Sequence, residues 1–369
     1  MNNSLGTQAK IKLNELALSV DMRLEKYWNE EINKEFGFEK KQKYLINKVL
    51  RHAKEHNLRQ AKRLRAAFVY YGYRLGKELN KRRSQEIEKI DEGVWRVMEG
   101  VELVQTALLM HDDFMDEDLL RRGLPTTQIY FGGKDKHYGD SMAVNVGDVV
   151  LCLGYERILA CELEAKRVLE VGKILMRGIT NTAFGQIYDV TLPKLGELTE
   201  EKVMAVHRAK TAIYTFQNPL MIGGVLAGLP NKALDILREY SDIGGVAFQL
   251  QDDLLGMFGE VNKTGKSVNS DLLQGKCTLL IAKTIELGSE EQKRNLLKAW
   301  GNKKATEQEI NKAKEAIKDS GSYEYSLKKI KTMANKAIIV INRLNAMELN
   351  SEAINFLKGI MKYIVKREV

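Results

Sequence analysis

The residues in this chain best suited to chemistry are carboxylates. The stretch His111-Asp112-Asp113-Phe114-Met115-Asp116-Glu117-Asp118 follows an apolar segment directly. On a helix, Asp112 and Asp116 fall one turn apart on one face, with Asp113 about 100° round. Carboxylates placed this way repel one another and call for a cation. Oxygen ligands suit a hard divalent ion, and Mg²⁺ typically keeps several waters while bridging to substrate phosphates. Arg121 and Arg122 follow closely, and guanidinium forks bind phosphate oxygens well. Acid beside base points to a diphosphate held by metal on one side and arginine on the other. A bare motif of this kind also fits an exposed acidic helix end or a calcium-binding surface. His111 reads as a packed or supporting histidine rather than a ligand.

A second cluster, Gln249-Leu250-Gln251-Asp252-Asp253, ends another apolar, glycine-containing stretch. Two such clusters facing each other across a cavity would clamp a metal-bridged diphosphate and stabilise the charge that develops as it leaves. Lys266 and Lys276 add positive charge from the adjoining loop, and Lys210-Thr211 is a third basic element.

The elements that must position these groups read as helices almost throughout. Val94, Met98, Val101, Val104, Leu108 and Leu109 recur at three- and four-residue spacing up to the first cluster. Ile243, Val246, Ala247, Leu250, Leu254 and Leu255 do the same through the second. Arg122-Gly123-Leu124-Pro125 is expected to end one helix, and the loop from Gly259 to Gly265 another. The segment from Ala212 to Gly228 is apolar on most sides and reads as buried, with Pro219 as a kink and Gly223-Gly224 allowing close approach. Residues 1–59 and 284–369 read as amphipathic shell.

Bulk properties narrow the class. With 369 residues, 4 prolines and no linker or short repeat, one large domain over 1–369 is expected, its core at about 30–369 after an N-terminal helical extension. The net charge of +9 is interleaved with acidic residues, as in Lys81-Arg82-Arg83-Ser84-Gln85-Glu86, which describes solvated helix faces. No nucleic-acid module is visible. Cys152, Cys161 and Cys277 make neither a CxxC pair nor a disulfide framework, which favours a reducing compartment. The amino terminus lacks the layout of a secretory signal, and no apolar run reaches the ~18 residues of a membrane span. A soluble, cytoplasmic protein without stable membrane insertion is expected.

In order along the chain stand Lys62-Arg63-Leu64-Arg65, Gln105, His111-Asp112-Asp113-x-x-Asp116, Arg121-Arg122-Gly123, Gly147-Asp148, Gly185-Gln186, Lys210-Thr211, Phe248-Gln249-x-x-Asp252-Asp253, Thr264-Gly265-Lys266 and Asp271 to Lys276. In this the chain resembles the trans-isoprenyl diphosphate synthases, the polyprenyl synthetase family, over roughly residues 30–369. The resemblance implies an all-α, isoprenoid synthase-type bundle of long helices around a deep central cavity, and usually a homodimer. It implies up to three Mg²⁺ bound with substrate, two by Asp112 and Asp116 with support from Asp113, and a third by Asp252 beside Asp253. Arg121, Lys210, Gln249 and Lys266 would hold the allylic diphosphate, and Lys276 is a further substrate-binding residue. Lys62, Arg65, Gln105 and Arg122 would hold isopentenyl diphosphate. The implied reaction is ionisation of the allylic C–O bond, attack by the isopentenyl double bond and proton loss, with the Lys210 carbonyl, Thr211 and Gln249 steadying the carbocation. Gly256 stands where many members carry a third acid, and Gln60-Ala61 precede Lys62 where a glycine is usual.

Family logic sets product length by bulk on the helix leading into the first motif, here Ala107, Leu108 and Val104. With no aromatic stop there, geranylgeranyl diphosphate (C20) is the expected product, with longer chains or farnesyl diphosphate as alternatives. A class I terpene cyclase and a non-catalytic subunit of a heteromeric synthase are the competing classes.

Overall fold

The structure is a computed structural model that describes residues 4–35, 37, 39–76, 91–196, 198–259 and 269–366. Among these residues nearly everything is helical, and the only sheet is a two-stranded antiparallel ribbon. Contacts divide the chain into two compact units, residues 11–70 with 83–172, and residues 1–10 with 71–82 and 173–369. No helix among the described residues is long and apolar enough to cross a membrane.

In the unit that contains the first acidic motif, helix α1 (Leu5–Ile32) contributes Leu13, Val20, Leu24 and Trp28, all essentially buried. It is therefore core as well as shell. Helix α2 (Lys40–Leu58) lays down His52, His56 and Asn57, and Asn57 accepts from the Trp28 indole at 2.9 Å. Helix α3 (Leu64–Leu75) opens just after the first basic motif. Helix α4 (Glu92–Met115) starts at Asp91, whose carboxylate accepts from the Gly93 amide, and it carries the acidic motif at its far end. It does not run on to Gly123 as expected. Strands β1 (Leu120–Arg121) and β2 (Leu124–Pro125) form a hairpin there. Arg122 and Gly123 both take positive φ, 53° and 77°, as a two-residue turn of right-handed strand twist requires. Helices α5 (Thr127–Gly132) and α6 (Lys136–Leu159) follow.

Helix α7 (Ala165–Leu195) leads into the other unit. There α8 (Glu200–His207), capped by Thr199, passes into a ten-residue π-helix, Arg208–Gln217, which holds Lys210 and Thr211. At its end the Asn218 amide donates to the Ile213 carbonyl, five residues back. Such π segments are rare and concentrate at functional sites. Helix α9 (Asn218–Ala227) continues with Pro219 in its first turn, where a missing N–H costs nothing, and stops at left-handed Gly228. The expected buried apolar element is there, with a change of helical pitch in place of a kink. Helix α10 (Asn231–Phe258) carries the second acidic motif.

Two glycines let neighbours close on the π-helix. A Cβ at Gly185 of α7 would lie 2.6 Å from the Lys210 amide nitrogen, and one at Gly245 of α10 would lie 2.5 Å from the Ala212 Cα. Gly172 meets nothing within 4 Å. Gly245→Ala is therefore expected to cost about 1–3 kcal/mol of unfolding free energy. Gly172→Ala is expected to be neutral, or stabilising by up to about 1 kcal/mol. Urea denaturation of the two variants checks the contrast.

Candidate active site

The first acidic motif divides its aspartates between two environments. Asp113 is fully buried and bonded through Oδ1 to both Nε (2.7 Å) and Nη2 of Arg121. His56 Nε2 lies 3.7 Å from its other oxygen. Burial alone would raise the Asp113 carboxyl, but His56 and Arg121 outweigh it and hold it below its ordinary value. Arg121 is pulled down by burial, yet Asp113, Asp112 and Asp118 raise it on balance. Burial keeps His56 low, so that the imidazole is neutral near pH 7. Gln128 of α5 donates to the carbonyls of Asp113 (3.0 Å) and Asp118 (2.7 Å), fixing the helix end. Asp112, by contrast, keeps 21% of its side chain exposed, and Asp116 is half-buried at the helix terminus. Leu108 and Gln105 are half-buried one and two turns earlier on the same face of α4. Val104 and Ala107 are fully buried. Val104 packs on α6, where a Cβ at Gly154 would sit 2.7 Å from its Cγ2.

The basic side of this unit is anchored by Glu102, which sequence reading passed over. Its carboxylate accepts from the Ala66 amide at 3.0 Å and contacts Arg63 at 3.3 Å, so α4 holds the start of α3 beside Lys62 and Arg65. Lys62 is exposed and Arg65 half-buried. Arg63, at a strained φ of 48°, also bonds Asp21 at 2.6 Å. Arg122 donates to the Arg59 carbonyl at 2.9 Å. Burial, then Arg63 and Arg121, pull its guanidinium down to about 10. Burial is the larger cause and the neighbouring cations add to it, so an anion bound beside Arg122 would favour its charged state.

The second motif repeats the division. Asp253 is buried; its Oδ1 accepts from Gln249 at 2.8 Å, and its Oδ2 lies 2.9 Å from His207 Nε2. Asp252 is half-buried. Gly256 lacks the third acid, yet a Cβ there would lie 2.9 Å from Asp271 Oδ2. Asp271, on the short helix α11 (Ser270–Leu273), thus brings a carboxylate to the helix position one turn past Asp252. Lys210 and Lys276 meet on one carboxylate, with Asp189 Oδ2 at 2.8 and 3.1 Å. Asp189 lies three residues after Gln186, a spacing from Gly185-Gln186 that would have marked it. Burial would raise Asp189, but the two lysines hold it below its ordinary value. Gln186 is buried, and neither polar atom of its amide has a hydrogen-bond partner among the described residues. Lys266 lies outside the described residues.

Residues 47–317 match the model of the polyprenyl synthetase family. The chain belongs to the polyprenyl synthetase family. It is 31% identical to a geranylgeranyl diphosphate synthase of Saccharolobus solfataricus over 64% of this chain and 70% of that one. A farnesyl diphosphate synthase of Mycobacterium tuberculosis is 31% identical, covering 73% of this chain and 72% of its own. A geranylfarnesyl diphosphate synthase of Aeropyrum pernix is 28% identical, covering 73% and 81%. In fold, the chain superposes on a geranylgeranyl pyrophosphate synthase of Corynebacterium glutamicum, crystallised with isoprenyl diphosphate and magnesium, with a TM-score of 0.86 at 24% identity over 96% of this chain and 99% of that one. This polyprenyl synthetase has the all-α isoprenoid synthase fold and is a trans-prenyltransferase.

Asp113 and Asp189 have depressed carboxyl values, so their stabilising contribution is complete above the unfolded value of about 4 and disappears as pH falls through the lower folded values. Unfolding free energy is accordingly expected to drop between about pH 5 and pH 2, and Asp189→Asn to flatten part of that slope. Arg121→Ala, which strands a buried carboxylate, is expected to cost about 3–5 kcal/mol. Urea midpoints across the pH series check both.

Proposed function

We propose that this polyprenyl synthetase condenses allylic diphosphates with isopentenyl diphosphate, with geranylgeranyl diphosphate as its main product. The observation that carries the reading is the pair of half-buried carboxylates Asp112 and Asp116 one turn apart at the end of α4, in the same unit as the Arg59, Arg63, Arg121 and Arg122 guanidiniums. A metal-bound diphosphate answers both.

The donor set fits Mg²⁺. Carboxylate oxygens are hard ligands, and no group of three or more His, Cys, Asp or Glu among the described residues is already gathered to hold an ion. Substrate phosphate oxygens and water are then needed to complete each shell. Asp112 and Asp116 would hold metal at the first motif, and Asp252 with Asp271 at the second. Bound Mg²⁺ would neutralise the departing diphosphate. Asp113 and Asp253, committed to Arg121 and to Gln249 and His207, keep their motifs in shape rather than serving as ligands. Arg121, expected on the allylic diphosphate, is committed to Asp113 in the same way.

Lys62, Arg65, Gln105 and Arg122 bind isopentenyl diphosphate in this reading. Lys210 and Lys276, poised on Asp189, bind the allylic diphosphate together with Lys266. Thr211 and Gln249 face the developing cation with oxygen dipoles and lower its energy without trapping it. Apolar surroundings keep water from quenching it.

Product length rests on Leu108. It shares a face with Gln105 and Asp112 and is half-buried, whereas Val104 and Ala107 are packed away. A leucine there leaves room beyond C15, which supports C20, with a geranylfarnesyl-type C25 product as the second reading. Helix α7 exposes Leu169, Met176, Phe184, Ile187, Tyr188 and Leu195, each more than half accessible. A second copy of the chain covering this apolar stripe would make the homodimer usual in the family. The three free cysteines suit the cytoplasm.

Purified protein incubated with Mg²⁺, isopentenyl diphosphate and C5, C10 or C15 allylic diphosphates should give mainly C20. Products lacking isopentenyl units would point to a cyclase, and no turnover to a partner subunit. Asp112→Ala should lower turnover at least ~10³-fold. Leu108→Phe should shift product toward C15, and an unchanged distribution would place the length stop elsewhere.

A further inference from the structure

Arg63 stands between Lys62 and Arg65, the two cations expected on isopentenyl diphosphate, and its own side chain turns inward. Its φ of 48° lies in the left-handed region, which residues with a Cβ rarely adopt. Three contacts from three different helices hold it there. Nε donates to Asp21 Oδ1 of α1 at 2.6 Å, and Nη1 donates to Glu102 Oε2 of α4 at 3.3 Å. Nη2 donates to the Asn57 carbonyl near the end of α2 at 2.6 Å, supplying a partner that the last carbonyls of a helix lack. Arg63 and Glu102 are both buried, while Asp21 keeps 34% of its side chain exposed.

The carboxylate that holds Arg63 also starts the next helix. The Arg63 carbonyl accepts from the Ala67 amide at 3.0 Å, so Arg63 is the residue that opens α3. A side-chain oxygen at that place usually accepts from the second or third amide of the helix. A guanidinium has no acceptor to offer. Glu102 Oε1 takes the Ala66 amide in its stead, at 3.0 Å. One buried acid of α4 thus fixes both the Arg63 side chain and the first turn of α3. Lys62 directly precedes this turn and Arg65 is the second residue of the helix. The backbone beneath both cations is therefore set by Glu102 and, through Arg63, by Asp21. Glu102 acts on a third expected residue as well, since it favours the charged state of Arg122 while Arg63, Arg121 and Arg59 disfavour it.

We propose that Glu102 and Asp21 are positioning residues for isopentenyl diphosphate, which hold Arg63 inward and cap α3 so that Lys62 and Arg65 stand at fixed places on either side. The inference rests on the prenyltransferase reading of this site. It adds that α1, which the sequence reads as an extension, takes part in recognising one of the two substrates. The diphosphate of isopentenyl diphosphate keeps its bond throughout the reaction, so contacts to it are equally strong before and during transfer. Weakening such contacts raises KM and leaves kcat in place. Lys210 and Lys276, read as allylic diphosphate residues, belong to the other unit, so the allylic KM is spared.

The test measures KM for each substrate on the full-length enzyme, with the other substrate saturating. Glu102→Gln keeps the size of the side chain and removes its charge. It is expected to raise the isopentenyl diphosphate KM about tenfold, with allylic KM and kcat each changed less than about threefold. Asp21→Asn, on the solvent side of the same guanidinium, is expected to raise the isopentenyl diphosphate KM about threefold, and Asp21→Glu to keep it near that of the unsubstituted enzyme. A merely structural role would lower stability without choosing between substrates. Equal rises in both KM values, a loss confined to kcat, or an unchanged isopentenyl diphosphate KM in either variant would therefore overturn the proposal. Should Glu102→Gln fail to fold, the two Asp21 variants decide. A selective rise with asparagine that glutamate does not share supports the role, and any other pattern overturns it. Absence of isopentenyl incorporation by the unsubstituted enzyme is a different result and would remove the reading on which the inference rests.

Discussion

A carboxylate at the end of an apolar helix must either reach solvent and cations or be neutralised inside, and both acidic motifs solve this by doing each with one aspartate. Asp113 goes inward to Arg121, and Asp253 goes inward to Gln249 and His207. Asp112 and Asp252 keep access to solvent. Desolvating an ion pair costs several kcal/mol per charge, and removing one partner leaves the other stranded. The inward pairs are thus constraints more than sources of net stability. They tie the helix ends to neighbouring elements and make the outward carboxylates stand at fixed places.

From that constraint the remaining architecture of each unit follows. The β-hairpin exists to return Arg121 to Asp113, and its left-handed turn residue Arg122 is delivered beside Arg59 and Arg63. Glu102 plays the complementary part by holding the first turn of α3 against α4. In the other unit, the pitch change over Arg208–Gln217 brings Thr211 within hydrogen-bond reach of Gln249, while bare Gly185 and Gly245 admit the backbone. Asp189 gathers Lys210 and Lys276, two cations that would otherwise repel.

Much of this was legible in the sequence, and the illegible part has a physical reason. Apolar periodicity gives helices α4 and α10 because burial of one face dictates residue type every three or four positions. Asp112, Asp116 and Lys210-Thr211 stand out because charge on an apolar helix is unusual. Periodicity cannot say which of two adjacent aspartates turns inward, since that depends on a partner from another element, as Arg121 of β1, His56 of α2 and His207 of α8 are. Nor does it reveal the hairpin, where Arg122-Gly123 satisfies a helix stop and a tight turn equally well. Asp271 filling the place beside Gly256 is a contact between positions fifteen residues apart, invisible until the chain is folded. Of the three positions that the resemblance places along the chain-length wall, Val104 and Ala107 are fully buried and Leu108 is half-buried, a difference that spacing does not reveal.

The division of labour within each acidic pair is best tested through ligand-induced stabilisation rather than turnover. Inorganic diphosphate with Mg²⁺ should raise the unfolding midpoint of the unsubstituted protein, because a ligand that binds only the native state stabilises it by mass action. Asp112→Asn is predicted to keep the ligand-free midpoint and lose the rise. Asp113→Asn is predicted to lower the ligand-free midpoint and keep the rise. If instead Asp113→Asn leaves the ligand-free midpoint intact and abolishes the rise, the inward aspartate is a ligand and the account is wrong.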